Sequence, residues 1–294
     1  VFDLSLSALT AQVFTGLVNG GILVLLAIGL SLIFGLMTVV NFAHGSFFML
    51  GAYFGFFLLG STGNFWLSLL VAPLLVGVLG LGVERFMIRR LYGRSIDDPL
   101  LLTFGLSLIM IEAVRVVWGK IGMPFDAPRE LAGAVNLGFM VFPVYRLLVI
   151  AITVLVLVGL WLFLERTNVG LVIRAGSRDP LMVRALGVDL GRIWLLVFGI
   201  GVALAGLAGV LAAPMRGVYA EMGVAMVIES FVVVVVGGMG SLLGAVVAGL
   251  LIGEVVSLTT FFAPKLAEIM VFIVMAVVLL VRPSGLFGES GLLE

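Results

Sequence analysis

The chain has 294 residues, 63% of them hydrophobic and only 11% charged, with a formal net charge of zero and a mean hydropathy of +1.34. Soluble domains carry roughly 25% charged residues, so a water-soluble fold is excluded and an integral membrane protein with many spans is indicated. The absence of cysteine and the single histidine exclude disulfides, thiolate metal sites and a histidine-rich metal centre, and the balanced charge gives no reason for a nucleic-acid partner.

Apolar stretches long enough to cross a hydrocarbon layer of ~30 Å run near 10–36, 65–88, 99–118, 144–164, 191–213, 241–261 and 265–281. Two shorter ones, 44–60 and 222–237, are borderline and read as tilted, broken or re-entrant. An all-α bundle of eight or nine crossings follows, because the alternating short segments of a membrane β-barrel are missing. The first span carries Asn19 beside Gly16 and Gly20; the link after it holds Asn41, Phe42 and His44. A lone histidine there fits a structural hydrogen bond better than a proton relay. Gly16/Gly20, Gly51/Gly55, Gly240/Gly244 and Gly249/Gly253 have the small-xxx-small spacing of closely packed helices. Gly-Leu-Ser-Leu-Ile occurs at 29–33 and again at 105–109, a weak hint of an internal repeat. Pro73 alone lies inside a span and predicts a kink, whereas Pro99, Pro143 and Pro264 stand near span starts and Pro214 and Pro283 follow span ends. Residues 119–143 form the longest link facing the other way from the arginine-rich segments, too short for a separate domain, so residues 1–294 are expected to make one transmembrane domain.

The segment from Glu165 to Arg192 puts five arginines and three acids on 28 residues. Within it Asp179 is a good N-cap and Pro180 suits the first helical position. Leu181, Met182, Val183, Ala185 and Leu186 then give a short helix an apolar side flanked by Arg178 and Arg184, and Gly187 can end it in a left-handed C-cap. A capped, half-apolar, arginine-rich helix between two spans suggests a docking surface for a soluble partner. Further on, Glu229 sits in the middle of an apolar stretch, and Glu112 and Glu254 lie in other spans; ionisable groups there face a cavity or a partner, in a structural or a substrate-binding role. Gly237-Gly238-Met239-Gly240-Ser241 should break the helix as a tight turn or as a gate element.

Charge orients the bundle. With nine crossings, Arg85, Arg89, Arg90, Arg94, Arg166, Arg174, Arg178, Arg184, Arg192 and Arg282 fall on one side, and Arg115, Lys120, Arg129, Arg146, Arg216 and Lys265 on the other. The richer side should be cytoplasmic, which places the N-terminus outside, the C-terminus inside, and the 165–192 segment in the cytoplasm. Neither lysine stands in the G-x-x-x-x-G-K-[ST] phosphate cradle, so the chain itself is no ATPase; G-x-S-x-G and paired metal-binding motifs are missing too.

Gly16-Leu-Val-Asn19-Gly20-Gly21, Gly29-Leu-Ser-Leu-Ile-Phe-Gly35, Val40-Asn41-Phe42-Ala43-His44-Gly45 and Gly51-Ala52-Tyr53 together resemble the opening of the branched-chain amino acid ABC transporter permeases. Gly237-Gly238-Met239-Gly240-Ser241, Gly244 and the closing Arg282-Pro283-Ser284-Gly285-Leu286-Phe287-Gly288 extend the resemblance over nearly the whole chain. It implies a permease subunit of the bacterial cytoplasmic (inner) membrane, paired with a second, related permease. Two cytoplasmic ATPase subunits would carry ATP and Mg, leaving no cofactor in this chain, and a periplasmic or lipoprotein binding protein would deliver substrate. It also implies that Arg174, Arg178, Asp179, Pro180, Met182, Arg184, Ala185 and Gly187 couple the chain to the ATPase. Arg184-Ala185-Leu186-Gly187 departs from the E-A-A pattern of other importers by lacking the leading Glu. Asn19, Asn41, Phe42, His44, Glu229, Gly237, Gly238 and Gly240 are the candidates for the pathway or its gating. Branched-chain or other small neutral amino acids are the expected cargo, with urea, short amides or aromatic acids as alternatives within the family. The rival from another class is an ion-coupled secondary transporter, disfavoured because the buried acids look scattered and without a basic partner.

Overall fold

The structure is a computed structural model and describes residues 6–95, 97–138 and 140–288. Eleven α-helices run through the described residues: α1 (Leu6–Met37), α2 (His44–Thr62), α3 (Phe65–Phe86), α4 (Asp97–Trp118), α5 (Val144–Arg166), α6 (Asn168–Arg178), α7 (Pro180–Ala185), α8 (Leu190–Arg216), α9 (Met222–Gly237), α10 (Leu242–Phe262) and α11 (Ala267–Val281). Eight segments are long and apolar enough to cross a membrane, and α9 is a shorter apolar helix of 16 residues. One two-stranded hairpin, β1 (Ala134–Asn136) with β2 (Val141–Pro143), decorates the 119–143 link. Helix starts follow local chemistry. Asn64 caps α3 by accepting from the amides of Trp66 and Leu67 at 2.9 and 3.2 Å, and Ser241 caps α10 by accepting from Gly244 at 3.0 Å.

Glycine decides which helices meet. Gly16 and Gly20 of α1 lie against Glu254 and the Gly249–Leu250 backbone of α10, while Gly35 lies against Gly240, so the two helices run antiparallel along their length. In the same way α3 lies along α8, with Val76 packed on Gly206 and Leu81 on Gly199. The two long helices α1 and α8 meet where the Gly29 and Gly201 backbones touch. Leu36 and Leu190 both border Gly176, so α8 starts where α1 ends. Pro214 is inside the last turn of α8, not after it as expected, and Gly217 ends the helix at φ 74°.

The two borderline segments share one peculiarity. α2 begins in the interior, not at the end of the bundle: fully buried His44 donates from Nε2 to the Leu26 carbonyl, about three turns before the end of α1, at 3.0 Å. α9 begins beside it, with the Gly45 and Gly223 backbones in contact. Thr38, just past α1, takes a left-handed φ of 53°, uncommon for a β-branched residue, as the chain turns back inward. Helices α1–α4 and α8–α11 thus repeat one arrangement in opposite directions: a long central helix, a shorter helix that starts inside the bundle, a long helix lying along the opposite central one, and a peripheral helix. The Gly-Leu-Ser-Leu-Ile echo belongs to α1 and α4, which do not correspond in this arrangement, so it marks no repeat.

The Gly237–Ser241 block is a tight turn between α9 and α10. Gly238 and Gly240 have φ of 103° and 82°, conformations open to glycine. The C-terminal strap folds over this turn: Leu286 and Phe287 donate to the carbonyls of Val236 and Gly237 at 2.8 and 2.9 Å. The two ends of the described chain therefore lie at opposite ends of the bundle, and the 165–192 segment shares its end with the strap and with Met37.

Candidate coupling face and transport path

Between α5 and α8 the chain leaves the bundle as two short helices. Thr167 caps α6 by accepting from Gly170 at 3.0 Å. Arg174 of α6 turns back to bond the Leu164 carbonyl and pairs with Glu165 at 3.0 Å, fastening α6 to the foot of α5. Asp179 then caps α7 by accepting from Met182 at 2.9 Å, with Pro180 at the first helical position, and Gly187 closes it at φ 82°. The helix presents Leu181, Met182 and Leu186 outward at 76%, 57% and 75% exposure, while Val183 turns into the protein. Arg178 points outward as well, but Arg184 lies over the Trp194 ring at 5.0 Å. The short helix thus leaves three apolar side chains bare in one patch at one end of the bundle.

At mid-depth, where α2 and α9 start together, several polar candidates converge. Asn41 is fully buried, and neither amide atom has a hydrogen-bond partner among the described residues. The Phe42 amide donates to Thr103 Oγ1 of α4 at 3.1 Å, and its ring meets Phe104 and Phe231 at 6.4 and 5.2 Å between centroids. Ser46 and Ser107 share a 2.7 Å hydrogen bond between α2 and α4. Glu229 lies half-buried on α9, two residues before Phe231. Glu254 stands elsewhere, on the α1–α10 seam, where it covers Gly16, and Asn19 is half-buried on α1 between Gly16 and Gly20. The expectation that the membrane acids lack basic partners is corrected for Glu112: Arg115 of α4 pairs with both Glu112 and Glu221, the residue that precedes α9. The Arg115 hydrogen bond holds the Glu221 carboxyl below the usual carboxylate range.

The family model described as "Branched-chain amino acid transport system / permease component" matches residues 12–279. The chain belongs to that family. Among its relatives, the high-affinity branched-chain amino acid transport system permease protein BraD of Pseudomonas aeruginosa is 31% identical over 292 residues, covering 95% of both chains. LivH of Escherichia coli K12 is 28% identical over 293 residues at the same coverage, and LivM of that organism is 27% identical over 90% of this chain and 67% of its own. Among solved structures, a chain of PsaBC from Streptococcus pneumoniae in complex with Fab superposes with a TM-score of 0.49 at 15% identity, covering 91% of this chain and 89% of that one.

Reading by sequence passed over one cluster in this permease. Glu84, in the last turn of α3, is fully buried and accepts from Arg89 Nε and Nη2 at 3.1 and 3.2 Å. The same Arg89 donates to the Gly191 carbonyl at 2.6 Å, and the Tyr92 hydroxyl donates to Glu84 at 2.7 Å. Burial, reinforced by that hydrogen bond, pushes the Tyr92 phenol up. The spacing of five between Glu84 and Arg89 is not the three or four of a helical pair, because α3 ends at Phe86 and the chain tightens into a 3-10 turn. That irregular spacing hid the pair among the basic residues of the 85–94 link. Removing one member of a buried pair strands the other charge, at ~3–5 kcal/mol. Glu84→Ala is therefore expected to lower the melting midpoint of the purified permease by roughly 10 °C. Tyr92→Phe, which removes one neutral donor, should cost about 1 kcal/mol. Equal melting of Glu84→Ala and the parent would show that the pair is not structural.

Proposed function

We propose that this permease is one membrane-spanning half of an ATP-driven importer that brings branched-chain or other small neutral amino acids into the bacterial cytoplasm across the inner membrane. The second half is a related but different permease, as the separate likenesses to LivH and LivM favour. Two ATPase subunits, carrying ATP and Mg, dock on α7 at the cytoplasmic face, and a periplasmic or lipoprotein binding protein delivers substrate at the outer face. The single observation that carries the reading is the capped α7 helix with its three bare apolar side chains on a chain that has no phosphate-binding loop of its own. The arginine bias puts that end of the bundle in the cytoplasm, with the N-terminus outside.

Transport then proceeds by alternating access. ATP binding draws the ATPases together, α7 follows, and the bundle tilts against its partner permease. The path runs along the side bearing α2, α4 and α9, because charged side chains such as Glu112 and Glu221 cannot face hydrocarbon without large cost. Phe42, Phe104 and Phe231 supply an apolar constriction suited to an aliphatic side chain, and Glu112, Arg115 and Glu221 offer partners for a zwitterion. The test is uptake of labelled leucine by proteoliposomes holding both permeases and the ATPases, fed by the binding protein. Uptake is expected to need ATP and all subunits. Uptake driven by a proton or sodium gradient without ATP would overturn the reading in favour of secondary transport.

A further inference from the structure

Between α7 and the base of the bundle lies a cleft of about 730 Å³, lined by Arg89, Tyr92, Arg184 and Trp194 together with the backbone of 187–191. Because the cleft is open, α7 does not bear on the bundle through a solid core. It turns two side chains back: Val183, which is buried, and Arg184. The Arg184 guanidinium carbon stands 5.0 Å from the centre of the Trp194 ring, on the first turns of α8. The Tyr92 ring meets the same indole at 4.7 Å and 77°, edge to face. Tyr92 donates to Glu84 at the end of α3, and Arg89 ties Glu84 to the Gly191 carbonyl, one turn from Trp194. Above this joint α3 and α8 interlock through Gly77, Gly80, Gly199 and Gly206, so whatever displaces their feet displaces both helices. The Trp194 Nε1 has no hydrogen-bond partner among the described residues, so the indole is held by its faces and edges and not by a polar tether.

We infer that Trp194 is a positioning residue for coupling: it passes the motion of α7, through Arg184, to the α3–α8 pair by way of Tyr92 and the Glu84–Arg89 clamp. The inference rests on the proposed docking of an ATPase at α7. An aromatic ring suits the task because a cation on one side and a ring edge on another are both held at contact distance, yet can slide without breaking a directional bond. A push on Arg184 is thereby delivered to two transmembrane helices across the open cleft.

The test uses the complete transporter in proteoliposomes, with Trp194→Leu and Trp194→Phe. Trp194→Leu is expected to keep its ATPase subunits and its basal hydrolysis while the substrate moved per ATP falls at least tenfold. Trp194→Phe, which keeps a face and an edge, should stay within about twofold of the parent. Unchanged transport per ATP in Trp194→Leu would overturn the inference, as would loss of ATPase association in step with transport, which would make Trp194 a docking or folding residue. Should Trp194→Leu fail to assemble as a folded permease, the indole itself reports. With Trp66, Trp118 and Trp161 replaced by Phe, ATP-driven closure is expected to shift the Trp194 emission, and an emission indifferent to ATP in a transporting complex would also overturn the inference. Failure of the parent complex to use ATP at all would instead count against the proposed function.

Discussion

Valine in place of Gly45 is expected to prevent this permease from accumulating as a folded protein, or to lower its melting midpoint by 10 °C or more. The Cβ of any side chain at Gly45 would fall on the Gly223 carbonyl oxygen and within 2.8 Å of the Val227 Cβ, and a Cβ at Gly223 would fall on the Gly45 carbonyl. The obstacles are backbone atoms of a buried helix, which cannot swing aside as a flexible side chain can. Ordinary overpacking costs ~1–3 kcal/mol; with two helix starts forced apart around fully buried His44, the cost should reach or exceed the upper end. Against a total stability of ~5–15 kcal/mol, and ~2–4 °C per kcal/mol, that is a large shift. Gly60→Val is the control, since nothing lies within 4 Å of a Cβ there on the same helix. Thermal unfolding in detergent, followed by gel filtration, measures both. A Gly45→Val permease that melts like Gly60→Val would show that α2 and α9 are not locked together at mid-depth.

The second large effect concerns the outer face of α7. Changing Leu181, Met182 and Leu186 together to serine should weaken binding of the ATPase subunits by about 100-fold or more, with the melting of the isolated permease unchanged. Fully burying an aliphatic side chain is worth ~1.5–3 kcal/mol, so half-burial of three in a groove, about 2–4.5 kcal/mol, brackets the ~2.7 kcal/mol that separates 100-fold in affinity. None of the three supports the bundle, since the larger side chains of α7 that turn inward are Val183 and Arg184. Arg178→Glu should cost far less, roughly fivefold, because an exposed rim charge acts mainly on the rate of encounter and is screened by salt. Titration of ATPase onto the permease in nanodiscs reads both. Undiminished affinity in the triple variant would move the docking site off α7.

These two sites differ in how far they could be read from residues in a row. The α7 helix was legible almost to the residue: a cap at Asp179, Pro180 in the first turn and Gly187 at the end are all local devices, and the structure has the helix at Pro180–Ala185 with Leu186 just beyond it. Its apolar side was legible as well, though which of Met182 and Val183 faces the protein was not. The mid-depth meeting of α2 and α9 was visible only as two apolar segments that are too short. That Gly45 touches Gly223 could not be foreseen, since 39 glycines give no sign of which pairs will meet. The Arg115–Glu221 link joins residues 106 apart, and the Glu84 clamp closes through Gly191, 102 residues from Arg89.

By itself the sequence determined that this is an all-helical membrane permease, which stretches form its spans, and which segment between two spans forms a capped helix. Hydropathy, caps and proline or glycine breaks act over a few residues, so they are written in the order of the chain. Only the tertiary structure decided the depth at which α2 and α9 start, the opposed correspondence of α1–α4 with α8–α11, and the joining of Arg184 to α3 through Trp194, Tyr92 and Glu84. Those depend on which surfaces pack, and in a chain apolar on nearly every face the hydrophobic pattern cannot choose among them. Close backbone approach at glycines and the need of each buried charge for a partner make that choice, and both are properties of residues brought together from far apart.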